Sequence, residues 1–285
     1  MGGATVFPSG RVTIVGVLNL TPDSFSDGGR FVGREGVDHG AAVAAGAELA
    51  ESGAHVVDVG GESTRPGAEP VPVSEEIART CGVVEALAKH LAVPISIDTR
   101  RSEVAEAALD AGASVVNDVS GLGHDARVAE VAARRGASLI LGHMRGVPAT
   151  MQQGVSFGDV VGEVGRELAD AVARAEASGV ARERLCVDPG IGFGKKLPHN
   201  LALLARVGEL RQRLGLPVLV GPSRKSFLGE LTGDAAAERD TATHAACAIA
   251  IFAGADAIRV HDVAGARRAV RVAEALRGAA AERPA

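Results

Sequence analysis

The chain has 285 residues, 46% of them apolar, a formal charge of −5, and only 2% aromatic residues, with Trp and Tyr absent. That length suits one (β/α)8 barrel, for which about 250 residues are typical. The negative charge and the missing aromatics exclude a phosphate-backbone binder and a base-stacking platform, so no nucleic-acid partner is expected.

Short apolar runs, each closed by a polar residue and followed by a helix-like stretch, recur along the whole chain. They are Arg11–Asn19, His55–Asp58, Val93–Asp98, Ser114–Asn117, Ser138–His143, Leu185–Asp188, Val218–Ser223 and Ala257–His261. Between them an Ala-rich segment, a Gly and a small residue lead into the next run. Val104–Ala108 with Gly112–Val116, and Val128–Ala132 with Gly136–Ile140, repeat the pattern. A Gly that ends a helix in a left-handed cap and a buried strand after it make one βα unit. Eight such units with right-handed crossovers predict an α/β fold, a single (β/α)8 TIM barrel spanning 1–285 with its active site at the C-terminal rim of the strands. A doubly wound sheet is the alternative, disfavoured because no Gly-x-Gly-x-x-Gly follows the first run. Residues 1–10 and 278–285 read as frayed tails, and two long loops, from Thr21 to about Gly36 and from Gly60 to about Val73, read as lids on the rim.

Cys81, Cys186 and Cys247 are scattered and form no metal pair, so they read as reduced thiols of a cytoplasmic protein. No signal-like head is present, and the longest nearly apolar stretch, Ala245–Ala255, is too short for a bilayer, so no membrane partner is expected.

Two polar groupings fall on the rim. Asp98, Asn117 and Asp188 form a trio able to accept paired N–H donors from a flat heterocycle with a guanidine-like edge, although each alone also fits a helix cap or turn. Arg224, Lys225, Arg259 and His261 follow runs seven and eight, where barrels often bind phosphate, with Asn19 adjacent once the barrel closes. Arg259 and His261 share a face. Ion pairing to rim carboxylates is the structural alternative for them, and a Schiff-base nucleophile, as in barrel aldolases, is one for Lys225. Any metal should be a hard ion shared with substrate phosphate, Mg²⁺ at Asn19.

With these residues in place, the chain resembles the dihydropteroate synthase family, the folate-pathway enzymes targeted by sulfonamides. The resemblance rests on Gly16–Gly29 (GVLNLTPDSFSDGG), Asp58–Gly67 (DVGGESTRPG), Ser96–Arg100 (SIDTR), Val116–Gly121 (VNDVSG), Asp188–Lys195 (DPGIGFGK), Gly221–Gly229 (GPSRKSFLG) and Arg259–Val263 (RVHDV). It implies a Mg²⁺-dependent condensation of 6-hydroxymethyl-7,8-dihydropterin diphosphate with p-aminobenzoate, giving 7,8-dihydropteroate and pyrophosphate by an SN1-like displacement. It further implies pterin contacts from Asp98, Asn117, Asp188 and Lys225, and diphosphate contacts from Asn19, Thr64, Arg259 and His261, with Asn19 on the metal. Phe25, Arg65, Pro66, Phe193 and Ser226 would shape the p-aminobenzoate pocket. Asp27, Asp98 and Lys225 would be catalytic, Asp27 lying in the first lid. Family members are typically homodimers, and Thr241–Ala253 is the candidate contact surface, with ordinary barrel packing as its alternative.

Two positions depart from the family pattern. Gly142 stands where a Met usually packs on the pterin, which predicts a gap there or its filling by Met144, and Phe157 replaces a Tyr in a structural role. A catalytically silent pterin-binding paralogue and a pterin-binding methyltransferase domain are the other readings. The intact Asn19, Asp27, Arg65, Lys225 and His261 oppose the first, and the STRPG and SRKS runs oppose the second.

Overall fold

The computed structural model describes residues 6–8, 10–21, 31–33 and 36–281. Eight parallel strands form the centre: β1 (Thr13–Asn19), β2 (Val56–Gly60), β3 (Ile95–Asp98), β4 (Val115–Asp118), β5 (Ser138–Gly142), β6 (Leu185–Asp188), β7 (Leu219–Val220) and β8 (Ala257–Val260). They pair in the order β6-β5-β4-β3-β2-β1-β8-β7. A parallel bridge between Val187 and Val218 joins the last two edges, so the sheet closes into a barrel and the doubly wound alternative is excluded.

The strands are buried on both faces, which is what a parallel sheet under helices requires. Alternate residues point outward: Ile14, Val57, Ile97, Val116, Leu139, Val187 and Ile258 join the large core shared with the helices. Their neighbours Val15, Val56, Val115, Ile140, Cys186, Leu219 and Ala257 point inward and form a separate plug that Phe7 seals from below. Each Val or Ile hidden this way stabilises the barrel by about 1.5–3 kcal/mol.

The outer ring is α1 (His39–Glu51), α2 (Val73–His90), α3 (Ser102–Asp110), α4 (Arg127–Arg135), α5 (Val160–Ala177), α6 (Leu197–Ala205), α7 (Val207–Leu214), α8 (Ser226–Thr232), α9 (Asp240–Phe252) and α10 (Val263–Ala281). The glycine stops act as expected, Gly136 and Gly215 ending α4 and α7 at φ of 60° and 61°.

Two boundaries move relative to the expectation. Phe7 is buried at the barrel base and is no part of a frayed head, because it supplies the apolar bulk that a core without Trp or Tyr lacks. Helix α10 continues to Ala281, past the predicted break at Gly278. The first loop carries the small antiparallel pairing of Val32–Gly33 with Gly36–Val37, while its positions Phe25 and Asp27 lie outside the described residues.

Candidate functional site

Directly above the apolar plug the inward positions turn polar. Two residues beyond Val56, Val115, Cys186 and Ala257 stand Asp58, Asn117, Asp188 and Arg259, so strand alternation sends each into the barrel mouth. Asp98 joins them from β3. They sit at or beneath the floor of a cavity of about 570 Å³, lined by Asn19, Asp98, Asn117, Asp188, Arg259 and His261 from the strand ends. Thr64, Arg65, Pro66, Phe193, Lys225 and Ser226 line it from the following loops. Every expected site residue within the described chain therefore reaches one cavity.

Arg259 organises the floor. Its Nε donates to Asp58 Oδ2 at 2.6 Å and its Nη2 to Asp98 Oδ2 at 2.8 Å. Asn117 Nδ2 donates to the same Asp58 oxygen at 3.0 Å. The ion pairing considered for this arginine is thus present, and the expected anion ligand is also a cross-brace between two carboxylates. Asp58 was not singled out from the sequence, although its parity with Val56 places it inward. Burial pushes Asp98 upward from the usual carboxylate range while Arg259 pulls it back. Among the described residues, the buried Asp98 Oδ1 has no hydrogen-bond partner.

Asp188 and Lys225 make a second pair. Burial raises Asp188, and the charge of Lys225 together with a 2.7 Å hydrogen bond from Gly190 N–H to Oδ1 opposes the rise. Lys225 is pushed down to about 8 by burial, with Asp188 as its main counter-charge. Its ammonium bonds the Ile191 carbonyl and lies 4.3 Å from the centre of the Phe193 ring.

On the opposite side His261 receives a 2.8 Å contact on Nδ1 from Ser223 Oγ, and Asn19 Nδ2 lies 3.5 Å from its Nε2. Burial drives the imidazole down to about 3, with Arg224 and Arg259 adding to the effect, so His261 is neutral at pH 7. It would serve an anion by hydrogen bonding and not by charge. Arg224 is held by Asp240 through Nε at 2.7 Å and Nη2 at 2.8 Å.

The second lid is clamped at its base. Glu62 accepts from Arg100 at 2.6 Å and Arg101 at 2.7 Å, and Arg101 also reaches Glu76 at 2.8 Å. Val71, at the other end of the lid, donates to Glu62 at 3.3 Å and accepts from Arg101 at 2.7 Å. Thr64, Arg65 and Pro66 lie between these anchors.

Gly142 leaves no gap. A Cβ there would stand 2.5 Å from Val119 Cα and 2.7 Å from its carbonyl oxygen, so backbone occupies the space where a Met was expected to be missed. Val119 and Met151 line the cavity, and Met144 does not, which corrects the expectation for that residue. Both lining residues belong to loops, where no periodicity signals them. Phe157 packs 5.0 Å from His199 with Arg145 4.1 Å above its ring, a structural setting.

Among the described residues no cluster of three or more His, Cys, Asp or Glu could hold a metal. Asn19 offers one hard amide oxygen, which fits an ion completed by substrate phosphate and water.

Residues 15–261 match the family described as pterin binding enzyme. The dihydropteroate synthase of Synechocystis is 46% identical over 96% of this chain and 93% of its own length. The crystal structure of the Yersinia pestis dihydropteroate synthase with a sulfonamide drug complex superposes with a TM-score of 0.88 at 40% identity, covering 94% of this chain and 95% of that one. The Xanthomonas albilineans dihydropteroate synthase with 4-aminobenzoic acid gives 0.84 at 43% identity, with 93% of each chain covered.

Proposed function

The chain belongs to the dihydropteroate synthases among the pterin-binding enzymes, transferases of folate synthesis, and we propose from this how its cavity works. The substrates are 6-hydroxymethyl-7,8-dihydropterin diphosphate and p-aminobenzoate, the products 7,8-dihydropteroate and pyrophosphate. The observation that carries this reading is the polar floor: Asp98 Oδ1 is buried with no partner among the described residues, and Asp188 sits beside Lys225. A pterin presents the N–H edge that such carboxylates need.

Asp98, Asn117, Asp188 and Lys225 hold the ring, and Asn19, Thr64, Arg259 and His261 face the diphosphate. Asn19 would hold Mg²⁺, which would supply neutralisation of the leaving group's charge. The C–O bond of the pterin methylene breaks first, its electron pair leaving with pyrophosphate. The buried carboxylate of Asp98, together with Asp27, stabilises the resulting cation. The neutral amine of p-aminobenzoate, seated among Phe25, Arg65, Pro66, Phe193 and Ser226, then forms the C–N bond and loses its proton to water.

A homodimer and a cytoplasmic location belong to the same reading. Ile249 and Phe252 on α9 and Val272 and Leu276 on α10 are more than half exposed, an apolar strip on two adjacent helices that includes part of the predicted contact surface. All three cysteines are free, as in a reducing compartment.

Pyrophosphate release in the presence of both substrates and Mg²⁺ tests the proposal. Release matched one-for-one by dihydropteroate is expected. Tight diphosphate binding without product would overturn the synthase reading in favour of a silent paralogue.

A further inference from the structure

Behind the floor a chain of polar groups runs from buried Lys195 and His143 to part-exposed Glu167, and the proposed chemistry does not use it. Lys195 is only 3% exposed. Its Nζ stands 2.9 Å from His143 Nδ1, 3.2 Å from the His143 carbonyl and 2.9 Å from the Phe193 carbonyl. On its other edge His143 Nε2 meets Glu167 Oε2 of α5 at 2.9 Å, and Arg145 pairs with the same carboxylate.

Hydrogen-bond polarity fixes the protons. Burial raises Glu167, but hydrogen bonds from Arg145 and His143 outweigh it and keep the group ionised. A carboxylate only accepts, so Nε2 carries the imidazole hydrogen. Burial, with Lys195 beside it, holds His143 down to about 4, so the ring is neutral and Nδ1 is a lone pair. Burial pushes Lys195 down to about 7, with Asp188 opposing the fall, and below that pH its ammonium satisfies three acceptors that a neutral amine, with two hydrogens, cannot.

This ammonium underlies the turn after β6. Gly190 adopts φ of +67°, and a Cβ there would strike the His143 carbonyl at 1.9 Å and lie 3.3 Å from Lys195 Nζ. Only glycine lets the chain approach so closely, and its N–H is the donor to Asp188. We propose that Lys195 is a positioning residue for the pterin subsite: oriented by the Glu167–His143 pair, its ammonium pins the turn that presents Gly190 to Asp188 and keeps Asp188 an acceptor. The inference rests on the assignment of Asp188 to the pterin. Asp188 faces Lys225, Lys195 and Arg259 as cations, and Lys195 faces Asp188 and Glu167 against Lys225 and Arg145.

The test is calorimetric binding of 6-hydroxymethyl-7,8-dihydropterin diphosphate to the full chain across a pH series. Lys195→Met should weaken binding about 10–100-fold, and the half-exposed Glu167→Ala about 2–10-fold. In Lys195→Met, loss of the rear cation raises the Asp188 pKa, so binding is lost at a higher pH on the acid side; Glu167→Ala removes an anion and leaves Lys195 cationic there, so its acid limb should not move up. Lys195→Arg should restore in part the acid limb that Lys195→Met moves. A merely structural lysine would lower Tm and leave the acid limb where it was, and that outcome overturns the inference. If Lys195→Met does not fold, Lys195→Gln takes its place, and an unmoved acid limb there overturns the inference equally. Failure of the unsubstituted chain to bind would instead refute the proposed function, and this inference with it.

Discussion

The floor of the cavity and its loop wall are built on opposite principles. Asp58, Asp98, Asn117 and Asp188 are at most 8% exposed and stand on barrel strands, the first three cross-linked directly or through Arg259. Thr64, Arg65 and Pro66 are half-buried to exposed, on a lid anchored at its two ends and by a backbone hydrogen bond from Gly67 to the Pro148 carbonyl. A site that reads a fixed pattern of N–H donors gains from groups that cannot move, because they are oriented before the ligand arrives. A site that seats two different substrates gains from a wall that can.

The largest effect should come from breaking the floor's brace. Arg259→Met leaves two buried carboxylates without their shared cation, and removing one partner of a buried ion pair costs about 3–5 kcal/mol. Denaturant unfolding should show that loss together with loss of turnover. Arg259 is itself 21% exposed, so a loss well under about 1 kcal/mol would mean that water, and not the guanidinium, satisfies Asp58 and Asp98.

A crossed pair of substitutions sharpens the comparison at the next level. Lys225→Ala should weaken pterin binding by about 100-fold, the upper range for a charged hydrogen bond, with the KM for p-aminobenzoate little changed. Arg65→Ala should raise that KM about 3–10-fold and leave pterin binding within about twofold, as suits a half-buried contact on the loop wall. Steady-state kinetics in both substrates reads all four numbers. Equal changes in both constants for both variants would erase the distinction between floor and wall.

Much of this was legible in the sequence because a barrel strand declares itself locally: a buried apolar run, then a polar residue at the rim. Asp98, Asn117, Asp188 and His261 were visible that way. Asp58 was visible in principle by parity with Val56, yet it sits within the apolar run and reads as its end. The lid clamp was not legible at all. Glu62, Glu76, Arg100 and Arg101 are ordinary surface types, and only the approach of the start of α2 to the end of β3 turns them into a buried quartet. The neutrality of His261 was hidden for the same reason, since it follows from burial and neighbouring arginines, and not from spacing.

Gly142 separates the two kinds of inference most sharply. Read as a missing side chain, it predicts a hole that a larger residue would fill, with tighter pterin binding as the reward. In the fold it pairs in register with Asp188, and the backbone of Val119 from the loop after β4 occupies the position of its Cβ. Backbone cannot swing aside as the end of a flexible side chain can, and the neighbouring Gly121 holds the same loop down, since a Cβ there would lie 2.3 Å from the Gly142 carbonyl. Gly142→Ala should therefore overpack the site and destabilise the chain by about 1–3 kcal/mol in denaturant unfolding. Pterin affinity should fall with it, because Val119 lines the cavity and would be displaced toward the ligand. Stabilisation by Ala would show that the loop after β4 yields, and would move Val119 from the rigid floor to the adaptable wall.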